Sequence, residues 1–449
     1  MQRRWNNVIK CVKQWTTSDL VRQYTANTGW MMATRAAWIL SAFTVGIYVA
    51  RQLGPYNFGV LNYAIALTGI FSIIASMSVD EIVIRQLVRQ PERRDRELGN
   101  LFMLRIFLFA AMETALVTAL LLLNTTTEVK WLCVIISCGY FGFVMQGSSL
   151  HFQAIVESKY FAIPQLIACL INSIIRGAAA YFSWPLAIFA VAEASVLLTT
   201  FGGSLLYYWQ RVSSPFAWNW NGGEILQLLK TALPLGICAV FSIVYARTDQ
   251  LMVEHFLGPE AVGYYSLAAR LTENWALCAS LLCLSFFPAV VSAALISVAV
   301  YHKQLHRLYF LVFWSMAAAA AVTALLSYPV IRLLFGRAYL PTVPVLNVYV
   351  WTLLGTALLN VFSQWAINEK RIPMIAWAFG LGTLINIVLN PFLIMKIGLN
   401  GAAWSTLVSM PLGLALTLSG TADGRSHFLL IMKSIFTLPS FRLNEHNAG

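Results

Sequence analysis

Apolar runs long enough to cross a bilayer recur along the whole chain, separated by short polar segments. They fall at 28–50, 59–79, 99–123, 131–150, 160–182, 184–208, 231–256, 262–287, 308–331, 343–366, 373–395 and 400–420. Crossing the hydrocarbon takes about 20 apolar residues at 1.5 Å each, so each run predicts one transmembrane helix, twelve in all. A thirteenth apolar stretch, His427 to Leu438, is too short to span and is expected to lie at the interface. Ahead of the first span, Trp5, Val8, Ile9, Val12 and Trp15 recur at helical spacing beside Arg4, Lys10 and Lys13. That pattern fits either an amphipathic helix on an anionic membrane surface or a disordered basic tail.

Composition agrees with this pattern. Of 449 residues, 59% are hydrophobic and 11% charged, with a mean hydropathy of +0.70; a soluble domain carries about 25% charged residues. The bilayer is therefore the solvent for most of the chain. The first apolar run is too long for a signal-peptide core, so the chain is expected to be inserted rather than secreted. The formal charge of +12 falls mainly in the short loops, which reads as a topology signal rather than a nucleic-acid surface. With twelve spans both termini share a side. That side collects Arg3, Arg4, Lys10 and Lys13, the run Arg85, Arg89, Arg93, Arg94 and Arg96, and Lys303, Arg307, Lys370 and Arg371. The opposite loops hold Arg51, Lys130, Arg247, Arg332, Arg337 and Lys396. Positive loops stay inside, so both termini are expected in the cytoplasm. The seven cysteines, Cys11, Cys133, Cys138, Cys169, Cys238, Cys278 and Cys283, are scattered without a CxxC pair and suggest neither a metal nor a disulfide framework.

The chain repeats itself at an offset of 204 residues. Leu53-Gly54-Pro55-Tyr56-Asn57-Phe58-Gly59 returns as Leu257-Gly258-Pro259-Glu260-Ala261-Val262-Gly263, and Ala64, Leu67, Thr68, Ala75 and Ser76 match Ala268, Leu271, Thr272, Ala279 and Ser280. Six spans lie between the copies, so the halves share one orientation, as in parallel six-helix repeats that carry a substrate site between them. The expected organisation is a cytoplasmic or interfacial segment 1–27, an N-lobe 28–210, a cytoplasmic linker 211–229 broken by Pro215, Gly222 and Gly223, a C-lobe 230–420, and a tail 421–449.

The same stretches carry a resemblance. The first half reads Asn27-x-x-Trp30 and then Ala50-Arg51-Gln52-Leu53-Gly54-Pro55-Tyr56-Asn57-Phe58-Gly59. The second reads Pro234, Arg247-Thr248-Asp249-Gln250, Leu257-Gly258-Pro259, Val262-Gly263-Tyr264-Tyr265 and Ala269-Arg270-Leu271-Thr272-Glu273-Asn274-Trp275, followed by Phe335-Gly336-x-x-Tyr339 and Gly398-Leu399-Asn400-Gly401. In this order they resemble the O-antigen and exopolysaccharide repeat-unit flippases, the Wzx type, of the multidrug/oligosaccharidyl-lipid/polysaccharide exporter superfamily. The resemblance implies an all-α protein of the bacterial inner membrane, with two pseudo-symmetric six-helix lobes around a central cavity. It implies alternating access, an undecaprenyl-pyrophosphate-linked oligosaccharide as cargo, no cofactor, and a polysaccharide polymerase or chain-length regulator as pathway partner. A cell-wall lipid precursor or a multidrug cation is the alternative cargo within the superfamily. A membrane polymerase or ligase is disfavoured because the outer loops are short and no DxD, HExxH or GxSxG occurs.

Charges inside apolar runs need a reason, since one at mid-membrane costs about 2.5–3.5 kcal/mol on insertion scales. Arg270, Arg35, Arg247, Arg176 and Arg105 are candidate cavity cations for a pyrophosphate, each with a structural ion pair or a helix-end snorkel as the other reading. Asp249, Glu273, Glu113 and Glu193 are candidates for coupling to H⁺ or Na⁺. Arg247, Asp249, Arg270, Glu273 and Asn274 group at one depth in adjacent spans, either as an inter-helix lock or as an anion site with a titratable acid. Asn274, Trp275, Gln364, Trp365, Asn386 and Asn390 are candidate cavity polar and aromatic groups, or helix–helix glue. No GxxxxGK[ST] loop is present, so direct use of ATP is not expected.

Overall fold

The structure is a computed structural model that describes residues 19–437, so the Trp5–Trp15 pattern lies outside the described residues. Among these residues all regular structure is helical. The helices are α1 Asp19–Ser76, α2 Asp80–Arg89, α3 Arg94–Leu122, α4 Thr127–Gly139, α5 Gly147–Ala154, α6 Lys159–Tyr181, α7 Leu186–Arg211, α8 Gly222–Leu257, α9 Pro259–Ala294, α10 Val298–Val330, α11 Thr342–Tyr349, α12 Thr352–Asn368, α13 Ile372–Ile397, α14 Leu399–Ser419 and α15 Ala422–Phe436. Ten segments are long and apolar enough to cross a membrane, and α8, broken at Pro234, makes an eleventh. The first of the ten, Thr25–Arg89, contains both the 28–50 and 59–79 runs, divided at Gly54. Counted as two, it brings the spans to the predicted twelve. The 15-residue α15 reaches only about 22 Å and is too short to span, as its sequence implied.

Contacts divide the chain into two compact units: residues 1–53 with 67–239, and residues 54–66 with 240–449. Sequence alone drew the first lobe as a continuous 28–210. Packing instead gives Gly54–Ala66 to the second unit.

The first unit is built on a buried cluster that includes Val79, Val83, Leu87, Leu98, Leu101, Phe152 and Tyr208. Its polar centre is Arg105, 1% exposed on α3. The guanidinium donates to the Ala75 carbonyl at the end of α1, to Asp80 Oδ1 (2.6 Å) at the start of α2, and to Gln146 Oε1 (3.0 Å); Gln146 Nε2 closes the ring on Asp80 Oδ2 (2.8 Å). Met77 and Ser78, between α1 and α2, hold positive φ of 44° and 50°, a conformation that costs non-glycine residues energy and needs such external ties. Arg105, a candidate cavity cation by sequence, is a structural clamp here. The reason is geometric: one planar fork reaches three elements at once.

In the second unit the two copies of the repeat meet. Gly54 (φ 68°, ψ 172°) and Gly258 (φ 81°, ψ 178°) share one conformation, in which glycine supplies positive φ and the following proline starts a new helix without losing a needed N–H. Four residues after each proline stands the glycine that makes the contact possible. A Cβ on Gly59 would lie 1.8 Å from the Pro259 carbonyl oxygen, and one on Gly263 would lie 2.1 Å from the Pro55 carbonyl oxygen. The contact is reciprocal at the repeat offset. Elsewhere in this unit α9 packs on α10, α11 and α12, α13 pairs with α14, and α15 rests on α10 and α14.

Two predictions follow from these contacts. Gly59→Ala and Gly263→Ala force backbone apart and should each destabilise the purified protein by about 1–3 kcal/mol, the usual cost of overpacking. Gly177→Ala, where a Cβ meets nothing within 4 Å, should be neutral or stabilising; thermal unfolding in detergent reads both. Arg105→Leu should cost about 3–5 kcal/mol, the penalty of orphaning a buried ionic partner, and Asp80→Asn should cost less, because the amide still accepts from Arg105; thermal unfolding of the two variants compares them.

Candidate functional site

Within the second unit, α8, α9, α13 and α14 bring polar side chains into an apolar setting around Asp249, which is 3% exposed. Tyr265 OH on α9 donates to Asp249 Oδ2 (2.7 Å), and Thr406 Oγ1 on α14 donates to the same oxygen (2.5 Å). Asn390 Nδ2 on α13 donates to Asp249 Oδ1 and also to Asn386 Oδ1 (3.0 Å), one turn away. An outer ring fixes these groups. Tyr245 OH donates to the Thr406 carbonyl (3.0 Å), Ser405 Oγ to the Asn386 carbonyl (3.3 Å), and the Tyr349 ring stands edge-on to Tyr265 at 5.3 Å. Asn386 and Asn390 are fully buried, yet Asn386 Nδ2 and Asn390 Oδ1 have no partner.

Every partner of the Asp249 carboxyl is neutral. A bare carboxylate in such a setting is costly, and a proton or a small cation would relieve it. The carboxyl oxygens and Thr406 Oγ1, which bonds one of them, are hard oxygen donors, the kind suited to an alkali or alkaline-earth ion, and the carboxyl can itself take a proton. Sequence reading had Asp249 among the acids and Asn386 and Asn390 among cavity polar groups; the structure joins the three. It adds Tyr265 and Thr406, which sequence reading missed. The i, i+4 spacing of Asn386 and Asn390 on an apolar helix was the available signal, but it could not name partners on other helices.

The expected grouping of Asp249 with Arg247, Arg270 and Glu273 does not form. Tyr265 faces Asp249, and Arg270 lies five residues further along α9, rotated about 140° from it. Arg270 donates to Asn62 Oδ1 (3.0 Å), with its guanidinium 5.4 Å from the Phe58 ring centre. Asn274 Nδ2 bonds back to the Arg270 carbonyl (3.0 Å), and Glu273 and Trp275 are exposed. Arg247 is half-buried and, among the described residues, makes no hydrogen bond or ion pair. Gln364 is half-buried, while Trp365 is buried and stacked 3.8 Å from His427.

In the first unit, Arg176 lies 3.8 Å from Glu193, leaving its Nε and Nη2 buried and unpartnered. Glu113 accepts from Ser137 Oγ (3.1 Å) through one oxygen while the other is buried without a partner. Arg35 is exposed on α1. The described residues contain no group of three or more His, Cys, Asp or Glu placed to hold a metal.

Comparison with known proteins supplies the context. The fold matches an inward-facing multidrug resistance MATE family transporter of the MOP superfamily (TM-score 0.68, 14% identity, 88% of this chain and 96% of that one). It also matches the lipid II flippase MurJ in an inward closed conformation (TM-score 0.66, 16% identity, 90% of each chain). A third match is a MOP superfamily transporter from Pyrococcus furiosus, described by a reversed polarity of its binding pocket (TM-score 0.57, 15% identity, 94% of this chain and 98% of that one). At these identities the likeness establishes fold: this is a multi-pass membrane protein with the architecture of MOP superfamily transporters. No curated protein sequence matches. A family model described as polysaccharide biosynthesis protein matches residues 24–293. The chain belongs to the polysaccharide biosynthesis protein family.

Proposed function

We propose that the chain is a flippase that moves an undecaprenyl-pyrophosphate-linked oligosaccharide repeat unit from the cytoplasmic to the periplasmic leaflet of the bacterial inner membrane, for O-antigen, capsule or exopolysaccharide synthesis. The observation that carries this reading is the family match over 24–293, joined to a transporter fold shared with a lipid II flippase. The physical need is plain. A hydroxyl moved into a medium without hydrogen-bond partners costs roughly 4–8 kcal/mol, so an oligosaccharide meets a barrier of tens of kcal/mol unless a polar route encloses it. Alternating access supplies such a route, and the pyrophosphate is matched by arginine, with Arg270 the first candidate and Arg35, Arg247 and Arg176 behind it.

Coupling is assigned to Asp249. Occupancy of its carboxyl by H⁺ or Na⁺ would link the packing of α8, α9, α13 and α14, since all four donate or support groups there. Departure of a negative head group from a negative-inside cell adds about 2.3 kcal/mol per charge per 100 mV. The positive bias of the loops supports a topology with both termini in the cytoplasm.

Deleting the gene in its native strain should leave labelled lipid-linked intermediates in the inner leaflet and remove the surface polysaccharide. Intermediates reaching the outer leaflet at the normal rate would refute the assignment. Asp249→Asn, which keeps the hydrogen-bonding shape but cannot hold a cation, should lower flipping at least about tenfold with protein abundance unchanged, an effect of 1.4 kcal/mol or more. Arg270→Ala should abolish export and Arg270→Lys should retain part of it, because lysine keeps the charge and loses the fork. Unchanged export in Arg270→Ala would remove that residue from the route.

A further inference from the structure

The first unit holds a second polar site that the Asp249 centre does not involve. A cavity of about 300 Å³ opens beside the loop between α2 and α3, with Gln86, Arg89, Gln90, Arg93, Glu97, Asn100, Glu224, Gln227 and Thr231 among its lining. Several of these groups are committed to each other. Glu224 accepts from Arg93 Nη2 (2.7 Å), Arg96 Nε (2.9 Å) and Asn100 Nδ2 (2.8 Å), and Asn100 Oδ1 accepts from the Asn221 amide (2.7 Å). Gln90 Oε1 accepts from Arg93 Nη1 (3.3 Å). Together they form a firm rim.

Four groups remain uncommitted. Glu97 is only 6% exposed, and its carboxylate has no hydrogen bond or ion pair among the described residues. Gln86 Oε1 is buried and unpartnered. Arg89 and the Gln227 amide line the cavity with no side-chain partner among the described residues. The set offers two acceptors, Glu97 and Gln86, and two donors, Arg89 and Gln227, and its two opposite charges cancel. An anion would meet Glu97 and a cation would meet Arg89, so neither is favoured alone. A neutral ring bearing hydroxyls fits all four, because each hydroxyl both donates and accepts. Carboxylate and guanidinium form the stronger, charge-assisted bonds in such a set, and the volume admits one sugar ring with a few waters.

We propose that this cavity binds one neutral sugar residue of the cargo, its hydroxyls held by Glu97, Gln86, Arg89 and Gln227. The inference rests on the flippase reading for its source of sugar. The arginine-rich α2–α3 loop places the cavity at the cytoplasmic end under the positive-inside rule, the side on which cargo loads. The site selects cargo by its sugar and leaves the pyrophosphate to other groups.

Saturation-transfer difference NMR on the full chain in lipid nanodiscs tests this with free monosaccharides as probes: glucose, galactose, mannose, rhamnose and N-acetylglucosamine. At least one should bind, and Glu97→Gln should weaken it about tenfold or more, the loss of a hydrogen bond to a charged group. Gln86→Met, which keeps the volume, should weaken it less; it covers the case in which Glu97→Gln lowers folded yield. No binding by any of the five, or equal affinity in both variants, overturns the proposal. Saturation of glycerophosphoethanolamine in place of the sugars would also overturn it and make the cavity a zwitterionic lipid headgroup site. Sugar binding in vitro does not require translocation. A strain that exports normally without the gene would therefore defeat the flippase reading while leaving this binding result standing.

Discussion

Two glycines stripped of side chains face two proline carbonyls, and the second unit is organised around that pair of contacts. Gly59 lies against Pro259 and Gly263 against Pro55, at distances that admit no Cβ. The chain reaches this arrangement because each copy of the repeat carries the same three instructions: a glycine that takes positive φ, a proline that opens the next helix, and a glycine one turn later. Close approach of helices through small residues is how apolar helices associate when no water drives them together. It also explains why Gly54–Ala66 packs with residues 240–449 although it lies early in the sequence.

Around this scaffold the buried charges follow two different logics. Arg105 meets an opposite charge: a carboxylate, a carbonyl and an amide oxygen accept from its two terminal nitrogens, and α1, α2 and the 140–146 turn are tied together. Asp249 receives only neutral donors, and Asn390, one of them, keeps an unmet acceptor of its own. The first arrangement pairs charge with charge and suits a fixed joint. The second has no positive partner among the described residues, and on that ground it is proposed as the coupling centre. The cavity beside Glu97 and Gln86 also holds unmet acceptors, with a carboxylate and a guanidinium among its lining, and hydroxyls rather than an ion are the ligand proposed for it.

These features suit the proposed function, the movement of a sugar past hydrocarbon. The barrier is the desolvation of many hydroxyls, and a route through the bilayer has to replace water's hydrogen bonds without binding so tightly that the cargo stays. In the proposed reading, recognition of a single sugar, a cation-sensitive carboxyl in the second unit and arginines for the pyrophosphate divide that task among separate places.

Much of this was legible in the order of residues. The twelve spans, the short α15, the turns at Gly54 and Gly258 and the 204-residue repeat are all local or periodic properties, set by the thickness of the bilayer and by the conformational range of glycine and proline. Asp249 stands out as a costly charge in an apolar helix, and Asn386 and Asn390 as cavity groups or helix–helix glue, because a polar group in an apolar run is visible from its neighbours in the chain. Their union was not, since Tyr265 lies 16 residues away and Thr406 lies 157 away, and helical periodicity reports which face a residue occupies but not which helix comes to meet it. The same gap let Arg105 pass for a cavity cation and let Arg270 pass for a partner of Asp249. Sequence determined which groups would need partners; tertiary packing decided who they were, because a hydrogen bond depends on a few ångströms of approach that only the assembled helices define.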